Sequence, residues 1–228
     1  MSDASVSATA TRTYRSELRA EQAQQTRRRI LEAAAAEFSR NGYQATTIAA
    51  IARAARVSTE TVKSAGTKAD LLIRAFEITF AGVEGRSTLT DTERVLDMLA
   101  LPDAEFIAAT VDFVAMSNAA SSRLWTVLLA ASFSDDVVAE ALATMLDNRH
   151  RDFLALAEEL RRRRFGKPDL DVERAGAELS FLLSPEGHQQ LVAQSGWSNE
   201  QYRAWLTAAL LRVARDDADA HELRRSPE

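Results

Sequence analysis

The chain has no cysteine, which excludes disulfides, thiolate metal sites and a cysteine nucleophile. Its three histidines, His150, His188 and His221, stand far apart and without metal-ligand spacing. No apolar run approaches the roughly 18 residues that a spanning helix needs, and no basic stretch leads into an apolar one near the start, as a signal peptide would. These gaps point to a cytoplasmic protein that carries no metal or cofactor and does not enter a membrane. Glycine and proline are also scarce, 8 and 4 among 228 residues. Ala, Leu, Arg and Glu dominate instead, side chains that lose little rotamer freedom in a helix. With no strand-like alternation anywhere, the expected class is all-α.

The overall charge of −5 hides an asymmetry. Residues 1–77 hold 12 Lys+Arg against 8 Asp+Glu, a net of +4, and the remaining 16 against 25 give −9. A basic head on an acidic body suits a protein that meets a polyanion with one end only. Residues 1–20 are Ser-, Thr- and Ala-rich and read as a flexible arm. A helix is expected from about Glu21 to Arg40, with Ile30, Ala34 and Phe38 on one stripe, stopped at Asn41-Gly42.

The segment Ile48 to Leu72, IAAIARAARVSTETVKSAGTKADLL, carries the function. Thr46-Thr47 offers a hydroxyl cap for a short helix, Ile48 to Ala54, and Ser58 caps another reaching about Ala65. Two short helices joined by a tight turn form a helix-turn-helix, in which the second helix presents its outer face to base edges in a major groove. Ile51, Ala52, Val57 and Val62 are small or branched and face inward. The outer positions Ser58, Thr59, Glu60, Thr61, Lys63 and Ser64 are polar. Hydroxyls can bond phosphates or bases, lysine a phosphate or a guanine edge, and Glu60 a cytosine amine. Thr47 and Ile48, at the start of the first short helix, and Lys68, at the start of the next long one, complete the candidate DNA surface.

The run FSRNGYQATTIAAIARAARVSTETV, Phe38 to Val62, resembles the N-terminal signature of the tetracycline-repressor (TetR) family. Ile30, Leu31, Ala33, Ala34, Phe38, Gly42, Tyr43, Thr46, Thr47, Ile51, Ala52, Val57, Ser58, Thr61, Val62, Lys68, Leu71 and Leu72 match it. The resemblance implies a three-helix DNA-binding domain over 21–67, and a helical ligand-binding and dimerisation domain over 68–215 followed by a flexible tail, 216–228. It implies that Lys68 is a phosphate-binding lysine. Arg56 replaces the turn glycine usual in the family, and Lys63 a common aromatic. The aromatic that follows three residues later is missing at Gly66, and the SAGTK stretch is about one residue short. The resemblance also implies a homodimeric regulator, commonly a repressor, released from a roughly palindromic double-stranded operator by a small-molecule effector.

Within the body, helices are expected at about 68–80, 103–117, 121–133, 136–164, 171–183, 186–194 and 198–215. Arg161 to Arg164 reads as a solvated helix end, or as a phosphate patch. If these helices enclose an effector, the resemblance offers Phe76, Phe80, Phe106, Phe113, Asn118, Trp125, Arg149, His150 and Phe153 as candidate lining; ordinary core packing is the plainer reading. Phe181, Leu191, Trp197, Tyr202, Trp205, Leu206 and Leu210 are the candidate dimer interface, aromatic-rich as interface cores are. They too could pack internally. A two-fold dimer would set its recognition helices about 34 Å apart, on successive major grooves.

Two other classes compete. One is a helical ligand- or protein-binding module whose DNA head has weakened, on the strength of Arg56, Lys63 and Gly66. The other is an enzyme, for which no paired carboxylates, nucleophile and base, or phosphate loop stands out.

Overall fold

The computed structural model describes residues 4–82, 84–85, 89–90, 92–166 and 168–215, with side chains from Leu18 onward. No strand occurs among them. The elements are α1 (Ala4–Ala45), α2 (Ile48–Ala55), α3 (Thr59–Ala65), α4 (Lys68–Ala81), α5 (Glu93–Leu99), α6 (Asp103–Ala131), α7 (Asp136–Arg162), α8 (Val172–Leu182), α9 (Pro185–His188), a π-helical turn (Gln189–Gln194) and α10 (Asn199–Arg215). The chain divides into two compact units, Met1–Ala75 and Phe76–Glu228. That division falls within α4 rather than at residue 67, and the first half of α4 already buries Ala69, Leu71, Leu72 and Ala75. The tail expected over 216–228 lies outside the described residues.

In the first unit, helix is assigned back to Ala4, through most of the segment expected as a flexible arm. No glycine or proline interrupts that stretch. Gly42, at φ 75° and ψ 178°, breaks the α1 geometry where the stop was expected. The stripe of Ile30, Leu31, Ala34 and Phe38 is fully buried, and Ile51, Ala52 and Ala55 of α2 and Val62 of α3 complete the core. Thr46 is buried as well. Its hydroxyl reaches the Gly42 carbonyl at 2.7 Å and the Glu37 carbonyl at 3.1 Å, so a polar side chain is satisfied inside the core.

In the second unit, α6 is one helix of 29 residues where two were expected. The Asn118-Ala119-Ala120 stretch has no helix breaker, and Asn118 is held from outside by other elements, so nothing ends the helix there. Helix α5 was not foreseen: it buries none of its residues, and its one local signal is the Thr92 cap, which accepts from the Val95 amide. Phe106, Val111, Leu160, Leu179, Leu183, Tyr202, Leu206 and Leu210 share one core.

The end of α7 departs from a solvated cluster. Arg161 and Arg162 pair with Glu158 and Glu159 on the surface, but the Arg163 side chain is only 5% exposed. It donates to the Leu99 and Leu101 carbonyls, pairs with Glu159 and Asp103, and lies 4.3 Å from the Phe106 ring centroid. A buried guanidinium is tolerable because its donors are matched in this way.

Candidate functional site

Helices α2 and α3 are each set by a hydroxyl cap. Thr47 Oγ1 accepts from the Ala50 amide at 3.1 Å, and Ser58 Oγ from the Thr61 amide at 3.1 Å. Each cap satisfies one of the amides left open at a helix start, for about 1 kcal/mol. Between them the chain reverses at Arg56, whose φ of 56° and ψ of 47° are left-handed. The Val57 amide then reaches back to the Ala52 carbonyl at 3.0 Å, and that of Arg56 to Arg53 at 3.2 Å, a Schellman closure. The departure from glycine has therefore left the turn itself intact.

A second turn joins α3 to α4. Gly66 has φ 148°, and a Cβ there would meet Asp70 Cβ at 2.8 Å. Glycine, rather than an aromatic, fits this turn because Asp70 occupies the space. The Asp70 carboxylate accepts from the Thr67 amide at 2.9 Å and hydroxyl at 2.7 Å, and Thr67 Oγ1 accepts from the Asp70 amide at 3.2 Å. This reciprocal cap fixes the start of α4. The Thr67 hydroxyl, and after it the Thr67 amide, holds the Asp70 carboxyl below its ordinary range.

The outer face of α3 is as expected in exposure. Ser58, Glu60, Thr61, Lys63 and Ser64 are exposed and Thr59 is half-buried, while Val62 opposite them is fully buried. Thr47 is exposed and Ile48 half-buried at the start of α2. Several hydroxyls already have internal partners: Ser58 with Thr61 at 2.9 Å, and Ser64 with the Glu60 carbonyl at 2.9 Å. Glu60 stays ionised, its carboxyl lowered by a backbone hydrogen bond first, then by the Thr59 hydroxyl and the nearby Lys63. Lys68 is anchored: Nζ donates to the Gln44 carbonyl at 3.2 Å and lies 4.7 Å from the Tyr43 ring centroid.

Residues 30–75 match the family model described as bacterial regulatory proteins, tetR family. That segment is similar to the N-terminal domain of the tetR family. The matched stretch holds the buried stripe of α1, both helices of the helix-turn-helix and the first half of α4, and this domain supports a DNA-binding transcriptional regulator. No curated protein matches the chain. Among the described residues no helix is long and apolar enough to cross a membrane, and none form a group that could hold a metal.

The residues proposed from the sequence to line an effector site do not form one group. Phe76 stacks on Phe80 at 5.6 Å and meets Trp125 at 5.4 Å. Arg149 lies 5.7 Å from the Trp125 ring and 6.0 Å from that of Phe153. The Arg149 guanidinium donates to the Ser180 carbonyl and pairs with Glu186 at 3.7 Å. Phe106 instead joins Phe165 and Arg163, and Phe113 lies beneath Arg94, 4.9 Å from its guanidinium. His150 is exposed; its position on α7 turns it away from the core. Asn118 is buried and spends its amide on the Leu183 and Ser184 carbonyls and the Tyr202 hydroxyl, at 3.0–3.2 Å, so it fixes the end of α8.

Of the residues proposed for a dimer interface, Tyr202, Leu206 and Leu210 are buried in the unit's own core, because the inner face of α10 packs on α6 and α8. Phe181 is 78% exposed, and Leu191, Trp197 and Trp205 are half-buried.

A buried polar group joins α6 to α9. Ser122 Oγ lies 3.2 Å from His188 Nδ1, and Tyr202 meets the His188 ring edge-on at 5.1 Å. Burial pushes the His188 pKa down, so the ring is neutral near pH 7. The spacing of Asn118, Ser122 and Trp125 at i, i+4 and i+7 was the available signal.

Proposed function

We propose that the chain is a homodimeric repressor that binds a roughly palindromic operator through α3 and leaves it when a small molecule occupies the second unit. The observation that carries this reading is the helix-turn-helix: α3 keeps a polar face exposed on a helix whose opposite side is locked by Val62. Ser58, Thr59, Glu60, Thr61, Lys63 and Ser64 supply the reading surface, with Thr47, Ile48 and Lys68 towards the phosphates. Lys63, exposed where the family often has an aromatic, is the outward phosphate partner as a point charge. Phe181, so large and so exposed, supports a second copy of the chain against α8, with Leu191, Trp197 and Trp205 beside it. Release follows when the effector binds more tightly to the arrangement whose two heads do not match the operator spacing.

The test is fluorescence anisotropy with duplexes from the chain's own upstream region against random duplexes, across a salt series. Preferred binding, with affinity falling steeply with salt, supports the reading. Lys63→Ala should lower the salt slope by about one. Equal affinity for upstream and random duplexes at moderate salt refutes it. Sedimentation of Phe181→Asp as a monomer, against a dimeric parent, tests the assembly.

A further inference from the structure

Among the described residues of the second unit, three polar atoms are buried without a hydrogen-bond partner: Trp125 Nε1, His188 Nε2 and Gln189 Oε1. Two of them are neighbours in the chain, and Ser122 links them to the third's helix. Trp125 lies one turn after Ser122 on α6, Ser122 holds His188, and Gln189 is the next residue, opening the π-helical turn. Trp125 and His188 are 3% and 7% exposed. A folded protein leaves few such atoms unmatched, since each costs about 1–3 kcal/mol, and isolated π-helical turns are frequent at functional sites.

We infer that Trp125, His188 and Gln189 form the polar end of a small-molecule site whose occupant is a planar aromatic carrying a carboxamide or a similar paired donor and acceptor. The required chemistry follows from the three atoms. Indole N–H only donates, so the occupant presents an acceptor. In the tautomer proposed, the Ser122 hydroxyl donates to Nδ1 and the His188 proton sits on Nε2, which donates as well. Gln189 Oε1 accepts, so the occupant presents a donor. The aromatic body is matched by Phe76, which stacks on Phe80 and meets the Trp125 ring at a tilt, and by the Arg149 guanidinium 5.7 Å from the Trp125 ring centroid. This names the class of effector for the function proposed above and rests on that reading for its regulatory meaning, but not for binding itself.

The probe is benzamide, with toluene as the apolar control, followed through the three tryptophan indole N–H signals of the ¹⁵N-labelled chain. Trp125→Phe assigns the Trp125 signal. Benzamide should move that signal, and toluene should bind more weakly. By calorimetry, Trp125→Phe and Gln189→Leu should each weaken benzamide about tenfold; Gln189→Leu should leave toluene unchanged, which reports that this variant is folded. A Trp125 signal that benzamide leaves in place, as expected if buried water serves these atoms, overturns the inference. So does benzamide binding that neither variant weakens. No DNA enters the measurement: a chain that selects its upstream duplex but ignores benzamide sinks this inference alone, and the reverse result sinks the repressor reading alone.

Discussion

Replacing Arg56 with glycine should stabilise the first unit without moving its helices. Arg56 sits at φ 56° and ψ 47°, where a side chain with a Cβ costs about 1–2 kcal/mol. Glycine has no such cost, but its freer unfolded chain takes back roughly 0.5–1 kcal/mol. The net gain is about 0.5–1 kcal/mol. The exposed Arg56 side chain gives up no core packing. Arg56→Ala is the control, because it removes the guanidinium and keeps the strained backbone. A chain of two units need not unfold in one step, so the readout is hydrogen exchange at the Ile51, Ala52 and Val62 amides. Protection should rise about two- to fivefold from Arg56→Ala to Arg56→Gly. Equal protection in the two variants would show that the left-handed turn carries no strain.

Glu60→Gln should raise affinity for random duplex DNA by about threefold at low salt, an advantage that fades as salt screens the phosphates; no change at low salt would place Glu60 away from the DNA. Asp70→Ala should cost about 1 kcal/mol of stability near neutral pH, through loss of the cap on α4. Because the folded Asp70 carboxyl titrates below its ordinary 3.8, its contribution is complete above that range and disappears as pH falls through the folded value. The gap between parent and variant in urea denaturation should therefore close on acidification, and a gap independent of pH would refute the linkage. Arg163→Ala should cost about 2–3 kcal/mol, since it strips the Leu99 and Leu101 carbonyls of a donor; a loss below 0.5 kcal/mol, the range of ordinary surface changes, would mean that water replaces it.

The head was legible because its signals are local. A cap lies within three residues of the amide it serves, so Thr47 and Ser58 announce the starts of α2 and α3 in the sequence itself. The 3.6-residue period placed Ile30, Ala34 and Phe38 on one buried stripe. Arg56, at the usual turn glycine, left open an unusual backbone angle or a shifted turn, and the structure shows the left-handed angle. The reciprocal cap of Thr67 and Asp70 was missed, although its spacing is equally local.

The body was legible only as helix. Amphipathic periodicity says that a face is buried, not what buries it, so Tyr202, Leu206 and Leu210 could belong to a core or an interface until α6 and α8 were seen to cover them. Phe76, Trp125 and Arg149 come together from three helices, and no pattern along one helix encodes such a meeting. The sequence by itself determined the all-helical class and the helix-turn-helix, because propensity, capping and turn geometry act between near neighbours. Tertiary structure alone decided that Arg163 is buried, that Phe181 is exposed, and that Trp125 Nε1, His188 Nε2 and Gln189 Oε1 are buried without a hydrogen-bond partner. Burial is a property of which distant surfaces meet, and side chains 60 to 70 positions apart acquire a shared environment only when the helices pack.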